Sequence, residues 1–417
     1  MGASRGSTEG PHRLRGLLVM SEVSAALVLL IGAGLMLRTM RQLAAVDVGF
    51  DAARILTFSV GLSPADTTSS DRILQTFDRT LANVRTVPGV TNASVTTLLP
   101  LNGNDNEIPF FVIGRPRPAS QGDMNWALLY ATGPDYLKSM GIRLLRGRYI
   151  EPRDSRTAAM VVVIDEVLAQ SLFPHEDPLG KSISVPVGAT SIPPAEIVGV
   201  VSHVKHWGID SDATAPVRGQ LYLPITQIPE PFMKAAVIGS SFVVVRAAGE
   251  PQTVAAGVRH AVLGADSEES VYGMRTMQEI VSSSLADRRF FLLLLAIFAA
   301  LALLLAAVGI YGVISYAVSQ RTHEIGIRMA LGARPAYVLR GVVAESMKPV
   351  IAGVGVGLAL AFALTRLMGH MLYGVKPGDG FTFVMVAIVL SGVALGASVI
   401  PARRAVRIDP VTALRHE

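Results

Sequence analysis

The longest uncharged stretch of the chain lies between Arg289 and Arg321, and it constrains the fold more than any other feature. A helix needs about 20 apolar residues to cross the hydrocarbon core of a bilayer. The sequence here, FFLLLLAIFAALALLLAAVGIYGVISYAVSQ, is longer than that, and no charged side chain would enter lipid unpaired. We predict a transmembrane helix over about 290–317.

Three further apolar runs predict spans over 16–37, 342–365 and 381–400. Hydrophobic residues make up 50% of the chain and charged residues 17%, whereas about a quarter of a soluble protein is charged. The run at 16–37 is too long for a signal peptide and has no cleavage site. The chain is therefore predicted to be a membrane α-helical protein with four transmembrane helices, and its polar leader, 1–15, is expected to be disordered.

Residues 38–287 differ in character, because short β-rich runs alternate there with amphipathic helices. The predicted strands are Ile55–Leu62, Val90–Leu98, Ile108–Ile113, Trp126–Ala131, Ala159–Ile164, Ser182–Val187, Glu196–Val201 and Phe242–Arg246. The predicted helices are Asp71–Thr86, Pro134–Met140, Glu166–Leu172 and Val254–Leu263. This mixture indicates a large α+β domain with a mostly antiparallel sheet, inserted between transmembrane helices 1 and 2.

A short polar segment, RTHEIGIRMALGARP, follows the longest apolar run and is predicted to form one compact helix. Glu324 and Arg328 have the favourable i, i+4 order. Gly332 occupies the position of a left-handed C-cap, and Pro335 prevents continuation of the helix.

The apolar residues of this helix fall on two opposite sides, Ile325 with Met329 and Ile327 with Leu331. A helix that lies free on a membrane has one apolar face. Two narrow faces indicate a helix wedged between the membrane spans and a partner. The alternative is an interfacial turn whose arginines bind lipid phosphate, and the pattern alone leaves both interpretations open.

Two stretches at the end of the chain resemble the FtsX-like domain of MacB-type ABC transporter permeases: RTHEIGIRMALGA at 321–333 and PARRAVRIDPVTALR at 401–415. Three others resemble the periplasmic core domain of that family: YLKSMGIRLLRGR at 136–148, LFPHEDPLGKSI at 172–183 and EIVGVVSHVKHWGI at 196–209. The resemblance implies a MacB-like core domain over 38–287 and an FtsX-like permease domain over 288–417.

In that family the segment between the second and third spans is a coupling helix that docks on a separate cytoplasmic ABC ATPase. The resemblance therefore implies ATPase contacts by Arg321, Glu324, Ile325, Ile327, Arg328, Met329 and Leu331. The phrases GLLVMSEV and LLIGAGLMLRTMRQL resemble the start of the second half of duplicated permeases. A second permease copy, as a homodimer or as the other half, is then an expected partner, together with membrane lipid and a periplasmic adaptor.

The expected function is that of a permease subunit of a MacB-type ABC transporter, for efflux or mechanotransmission. The alternative is an FtsX-like signalling or scaffold protein that regulates an extracytoplasmic partner such as a cell-wall hydrolase. A membrane-tethered hydrolase is a third class, but no nucleophile motif supports it. The net charge of +5 requires no nucleic-acid partner, because arginines beside the spans account for much of it.

The distribution of basic residues predicts the orientation in a bacterial inner membrane. The leader has three arginines, the 321–340 loop four and the tail after the last span four. The short loop between spans three and four has only Arg366 and Lys376. An excess of Lys and Arg marks cytoplasmic loops, so we expect both termini to be cytoplasmic and 38–287 to lie outside.

No pattern for catalysis, a cofactor or a metal ion stands out in the sequence. Gly180–Ser182 reads GKS, but a phosphate-binding loop would need glycine at residue 175, which is His175. His203 and His206 have no evident third ligand, and the chain has no cysteine. We expect no enzymatic activity and no cofactor in this chain, with ATP bound by the partner subunit.

Glu22 is an acidic residue inside the first span, about two turns from Arg15. A carboxylate at a helix centre costs roughly 2.5–3.5 kcal/mol, but near the edge it reaches water. The favoured interpretation is an interfacial acid satisfied by lipid headgroups or a neighbouring arginine. The alternative is a polar contact with another span that responds to the ATPase cycle.

Overall fold

The computed structural model describes residues 9–116, 118–187, 190–191, 193–210, 218–237, 241–264, 270–320, 327, 334–367, 373–375 and 378–406. The chain forms two compact units. We call the first, Met1–Ala45 with Asp287–Glu417, the membrane domain, and the second, Val46–Ala286, the sheet domain.

The described helices and strands are numbered in chain order. The helices are α1 Glu9–Ala44, α2 Ser70–Arg85, α3 Tyr136–Met140, α4 Glu166–Leu172, α5 Glu230–Val237, α6 Gln252–Leu263, α7 Met277–Ser284, α8 Ala286–Gln320, α9 Pro335–Leu367 and α10 Gly380–Val406. The strands are β1 Ile55–Gly61, β2 Val90–Thr96, β3 Glu107–Val112, β4 Asn125–Thr132, β5 Leu144–Gly147, β6 Val161–Asp165, β7 Ser182–Ser184, β8 Pro186–Val187, β9 Thr190–Ser191, β10 Ala195–Val201, β11 Gly219–Pro224, β12 Phe242–Ala247 and β13 Ser270–Thr276.

Four helices of the membrane domain, α1, α8, α9 and α10, are long and apolar enough to cross a membrane. They contain the four predicted apolar runs, and each extends beyond its run. α1 begins at Glu9, so residues 9–15 are helical and not disordered as expected from their composition. Polar residues continue a helix outside lipid because the hydrogen bonds of its backbone remain within the helix.

Side chains of α1 form the centre of the membrane domain's core, which is apolar. A mainly apolar interior agrees with helices that pack by van der Waals contact in lipid, and a few hydroxyl side chains such as Ser24 and Ser398 are buried beside it. The buried residues include Val19, Val23, Leu27 and Ile31 of α1, Ala306 and Ile310 of α8, Val350 and Ala361 of α9, and Leu390 and Ala394 of α10.

One half of the sheet domain is a four-stranded antiparallel sheet in the order β2-β12-β1-β13. Helices α2, α5 and α6 pack their apolar residues on it. α2 shows why the sequence folds this way: Ser69 caps its first turn, and Ile73, Phe77, Leu81 and Val84 recur at helical spacing toward the sheet.

The other half of the sheet domain closes into a ring of six strands, because β11 pairs with both β6 and β4. The ring runs β4-β11-β6-β10-β7-β3 and returns to β4. The β11–β4 and β10–β6 pairings are parallel, and the other pairings are antiparallel. α4 packs on this core through Leu168, Ala169 and Leu172. The two halves meet where Thr96 of β2 pairs with Thr132 of β4.

The predicted α+β class and mostly antiparallel sheet are confirmed in the described residues. Every strand and helix predicted for this domain is present within a few residues, although the predicted strand Ser182–Val187 is divided into β7 and β8. The structure adds β5, β9, β11, β13, α5 and α7, which the sequence patterns did not predict.

Candidate functional site

The predicted coupling segment joins the end of α8 at Gln320 to the start of α9 at Pro335. Of its seven predicted contact residues, Ile327 is described: it is helical, and its side chain is 42% exposed. The other six, Arg321, Glu324, Ile325, Arg328, Met329 and Leu331, lie outside the described residues. The ATPase-docking role of these residues stays a prediction.

The end of α8 that precedes this segment is attached to α1 by a polar contact. The Arg15 guanidinium carbon lies 3.9 Å from the centroid of the Tyr316 ring, within the range of a cation–π interaction. Gln320 Nε2 donates a hydrogen bond to the Tyr316 hydroxyl at 3.0 Å. The first residues of α1 and the start of the coupling segment therefore lie at the same end of the helices.

The opposite end of the bundle has its own ion pair. Arg38 of α1 and Asp379, just before α10, make contact at 2.5 Å, about 35 Å along α1 from Arg15 at 1.5 Å per residue. Asp379 also accepts hydrogen bonds from the backbone N–H and the hydroxyl of Thr382. The hydrogen bonds from Thr382 lower the pKa of Asp379 most, and the hydrogen bond from Arg38 lowers it further. Charged groups thus lie at both ends of an apolar bundle that matches a bilayer about 30 Å thick.

Helices α1 and α9 approach each other closely through glycines. A Cβ on Gly353 would lie 2.9 Å from the Met20 carbonyl oxygen and 2.9 Å from Val23 Cβ. A Cβ on Gly357 would lie 3.1 Å from the Ser24 carbonyl oxygen. The Ser24 hydroxyl donates a hydrogen bond to the Gly353 carbonyl oxygen at 2.8 Å. Small residues at such crossings let helix backbones pack directly in lipid.

Helices α1 and α8 meet at a different kind of contact. A Cβ on Gly32 would lie 3.3 Å from the end of the Leu295 side chain. The Glu22 carboxylate lies against Gly309, where a Cβ would come within 2.2 Å of Oε2. Oε2 is buried and has no hydrogen-bond partner among the described residues. Protein atoms cover this oxygen, and the interpretation of Glu22 as an acid satisfied by headgroups or an arginine stays a prediction for the carboxylate as a whole.

The two histidines of the 203–206 loop have separate partners. His203 Nδ1 lies 2.6 Å from Oδ2 of Asp165, which is fully buried. Both ring nitrogens of His206 are used: Nδ1 lies 2.6 Å from the Tyr130 hydroxyl, and Nε2 lies 2.7 Å from the Asn104 carbonyl oxygen. No group of three metal-ligating side chains occurs among the residues that the structure describes. These contacts stabilise the fold of the loop.

The GKS sequence forms a turn before a strand. Gly180 has φ +77°, and Ser182 begins β7. Lys181 pairs with Glu176 at 2.8 Å. A phosphate-binding loop needs a helix N-terminus behind it, and a strand follows here instead.

The glycines of the third span at 353, 355 and 357 predict a close-packing helix, and Gly353 and Gly357 make such contacts, but the sequence did not identify their partners on α1. Gly309 lies in an apolar run, where a glycine is a weak sign of close packing. Tyr316 is a polar aromatic side chain near the end of a span, and Asp379 is an acid in a short loop. Each of these residue types indicates a possible contact. The partner lies on another helix, so only the tertiary arrangement identifies it.

Comparison with known proteins gives two domain matches. The MacB-like periplasmic core domain matches residues 19–261, and the FtsX-like permease C-terminal domain matches residues 296–410. The macrolide export ATP-binding/permease protein MacB of Bartonella quintana is 28% identical over 299 residues, which cover 70% of this chain and 43% of that protein. MacB of Neisseria meningitidis serogroup A is 26% identical, with 70% and 44% covered. The chain thus spans less than half the length of these relatives.

The crystal structure of the periplasmic region of MacB from Actinobacillus actinomycetemcomitans aligns with a TM-score of 0.36 and 15% identity, over 59% of this chain and 97% of that one. The membership is decided by the domain matches, the first of which extends over more than half of the chain. With its four apolar helices and a match to each domain, the chain belongs to the MacB/FtsX family of bacterial inner-membrane permeases.

Proposed function

We propose that this chain is the permease subunit of a MacB-type ABC transporter and couples a separate cytoplasmic ATPase to an extracytoplasmic domain, for efflux or mechanotransmission. The observation that carries the proposal is the presence of both family domains in one chain with four apolar helices. A polar segment with two apolar sides joins α8 to α9, and such a segment can pack on the spans and on a partner at once.

The orientation belongs to the same proposal. Arginines concentrate in the leader, in the 321–340 loop and in the tail, and this excess favours a cytoplasmic position for all three. The sheet domain would then lie outside the cytoplasm. In this orientation the coupling segment would lie on the side of the membrane where ATP is present.

We assign nucleotide binding to the partner and no catalytic step to this chain. The relatives are named as ATP-binding/permease proteins, but the chain matches them through its permease-type domains. A second copy of a permease unit, either this chain or another half, would complete the pathway. A periplasmic adaptor is a further partner that the family resemblance implies.

The alternative, an FtsX-like signalling or scaffold protein, shares the C-terminal domain match. The match over residues 19–261 favours the transporter, because it covers a MacB-like core domain. Transport of a macrolide by membrane vesicles that contain the chain and its ATPase would separate the two functions. A scaffold protein would show ATPase binding without transport.

The docking role is tested by Ile325→Asp and Met329→Asp, one on each turn of the same apolar side. A charge forced into a packed contact costs several kcal/mol, roughly 3–5 when it is left unpaired. We expect the ABC ATPase to be lost from the material that co-purifies with the tagged chain, measured as the ATP hydrolysis activity of the purified complex. The permease itself should stay in the membrane. Tyr337→Asp is the matched control, because Tyr337 is 81% exposed at the start of α9.

Two results would contradict this proposal. One is an Ile325→Asp chain that holds its ATPase as tightly as the wild type. The other is equal loss with Tyr337→Asp, which would mean that any added charge near this end of the bundle disturbs binding. In either case the segment would act as an interfacial turn.

A further inference from the structure

The contact between α1 and α9 leaves little room for relative movement. Gly353 and Gly357 bring the two backbones together, and the Ser24 hydroxyl crosses from one helix to the other. Sliding or tilting one helix against the other would lose these close contacts and the hydrogen bond at the same time. In lipid, no hydrophobic gain would replace them, since the tails are as apolar as the side chains. These helices therefore form a fixed pair.

Helix α8 is packed far less completely. In the most apolar 18-residue part of α8, 11% of the residues are buried, against 33% for α1, 28% for α9 and 17% for α10. Its described contacts with α1 include the end of the Leu295 side chain at Gly32 and the Glu22 carboxylate at Gly309. Contacts made by side-chain ends are lost more easily than contacts between backbones. α8 is thus the weakly held member of the bundle.

The Glu22 contact adds an unfavourable term to the docked position of α8. Oε2 is buried, so it has lost its water, and it has no hydrogen-bond partner among the described residues. A buried polar oxygen without a partner costs free energy, and an ionised one costs more. Movement of α8 away from α1 would admit water or a polar group to Oε2 and would remove this cost. Docked and displaced positions are therefore brought closer in free energy.

We propose that Glu22 keeps α8 releasable from the α1–α9 pair, so that α8 is the membrane helix that changes position when the permease works. The proposal deepens the proposed function and rests on it for its biological purpose. α8 follows the sheet domain in the chain and leads directly into the coupling segment. A movement of α8 along or away from α1 would therefore connect a change at the segment with the sheet domain.

The experiment uses the full chain alone in native membranes, with no ATPase present. The chain has no cysteine, so Gly32→Cys with Leu295→Cys reports on the α1–α8 contact through a short bifunctional thiol reagent. Met347→Cys with Ser398→Cys is the reference across α9 and α10, where the sulfur and hydroxyl lie 4.0 Å apart. Glu22→Met removes the carboxylate, including the buried Oε2, and keeps a long side chain.

With Glu22→Met we expect faster cross-linking across α1–α8, because removal of a buried unpaired oxygen lowers the ratio of displaced to docked α8 at least about fivefold. The rate of the reference pair should not change. Glu22→Gln retains a polar atom at the same place, so its rate should stay close to that of the wild type. The Glu22→Gln variant thus distinguishes an effect of the buried polar oxygen on the position of α8 from a simple loss of packing.

A matched pair of glycine variants gives a second test. Gly309→Ala places a methyl group on the Glu22 carboxylate, so cross-linking across α1–α8 should slow severalfold. Gly312→Ala, three residues further along α8, has no atom within 4 Å of its new Cβ and should change nothing. Equal rates in Glu22→Met and wild type, or equal slowing by the two alanines, would overturn the proposal. Failure of ATPase docking would leave this result unaffected.

Discussion

The hydroxyl of Tyr130 lies 2.6 Å from Nδ1 of His206 inside the sheet domain, and both side chains are buried. His206 Nε2 lies 2.7 Å from the Asn104 carbonyl oxygen. A carbonyl oxygen can only accept, so Nε2 carries a proton, and in the neutral imidazole Nδ1 then accepts from the Tyr130 hydroxyl. Tyr130 also stacks on Tyr222, with ring centroids 4.9 Å apart. Burial of the ring favours the neutral imidazole that this assignment describes.

The sheet domain should become less stable below about pH 6.5, the usual pKa of histidine. Burial lowers the pKa of His206, although the Asn104 hydrogen bond and the charge of Asp105 oppose the shift. The unfolded chain therefore binds a proton more readily than the folded one, and stability is lost as the pH falls through the unfolded value. Urea unfolding of the full chain in detergent measures this difference in stability, at about pH 7.5 and about pH 5.5, one on each side of the unfolded pKa.

Trp207 fluorescence is a local probe for this unfolding, because its ring centroid lies 5.7 Å from that of His206. Trp126→Phe removes the other tryptophan of the chain. His206→Gln should weaken the pH dependence, whereas His175→Gln, at an exposed position, should leave it unchanged. An identical pH dependence in all three proteins would show that His206 does not control it.

Asp379 makes two separable contributions to the stability of the membrane domain: it caps the start of α10 through Thr382, and it forms an ion pair with Arg38. Asp379→Ala removes both the bonds to Thr382 and the pair with Arg38, so we expect a loss of about 1–2 kcal/mol. Asp379→Asn keeps a capping oxygen and should cost less than about 1 kcal/mol. Thermal unfolding of the detergent-solubilised chain compares the two. Equal losses would assign the stability to the ion pair.

The close approach of α1 and α9 predicts opposite outcomes for two neighbouring glycines. Gly353→Ala puts a methyl group 2.9 Å from Val23 and from the Met20 carbonyl oxygen, which should destabilise the membrane domain by roughly 1–3 kcal/mol. Gly355→Ala has nothing within 4 Å of its Cβ and should be neutral or slightly stabilising. The melting temperatures of both variants check the packing. Similar destabilisation by both would contradict this α1–α9 interface.

The proposed orientation can be tested by labelling single cysteines. In intact spheroplasts, a membrane-impermeant thiol reagent should label Thr68→Cys, an exposed position of the sheet domain. It should not label Thr322→Cys until the membrane is opened. Each variant carries one thiol, since the native chain has none. If Thr322→Cys is labelled in intact spheroplasts and Thr68→Cys is not, the orientation is the opposite of the proposed one.

The patterns that predicted most of the fold are local ones. The apolar run at 290–320 needs no partner to be recognised as a span, because lipid supplies its environment. α2 was predicted from the helical spacing of its apolar residues and begins one residue earlier, at Ser70. By contrast, β11 is a six-residue strand buried at every position, and β5 is exposed at every position, so neither shows alternation. Pairing with distant strands defines them.

The sequence by itself determined the four spans, the α+β class of the sheet domain and the family, because length, periodicity and motif spacing are properties of contiguous residues. Only the tertiary structure decided that Glu22 faces Gly309, that Arg38 pairs with Asp379 and that β11 closes a ring of strands. These relationships join residues far apart in the chain. Their energy depends on burial and distance, and neither exists until the helices and strands have packed together.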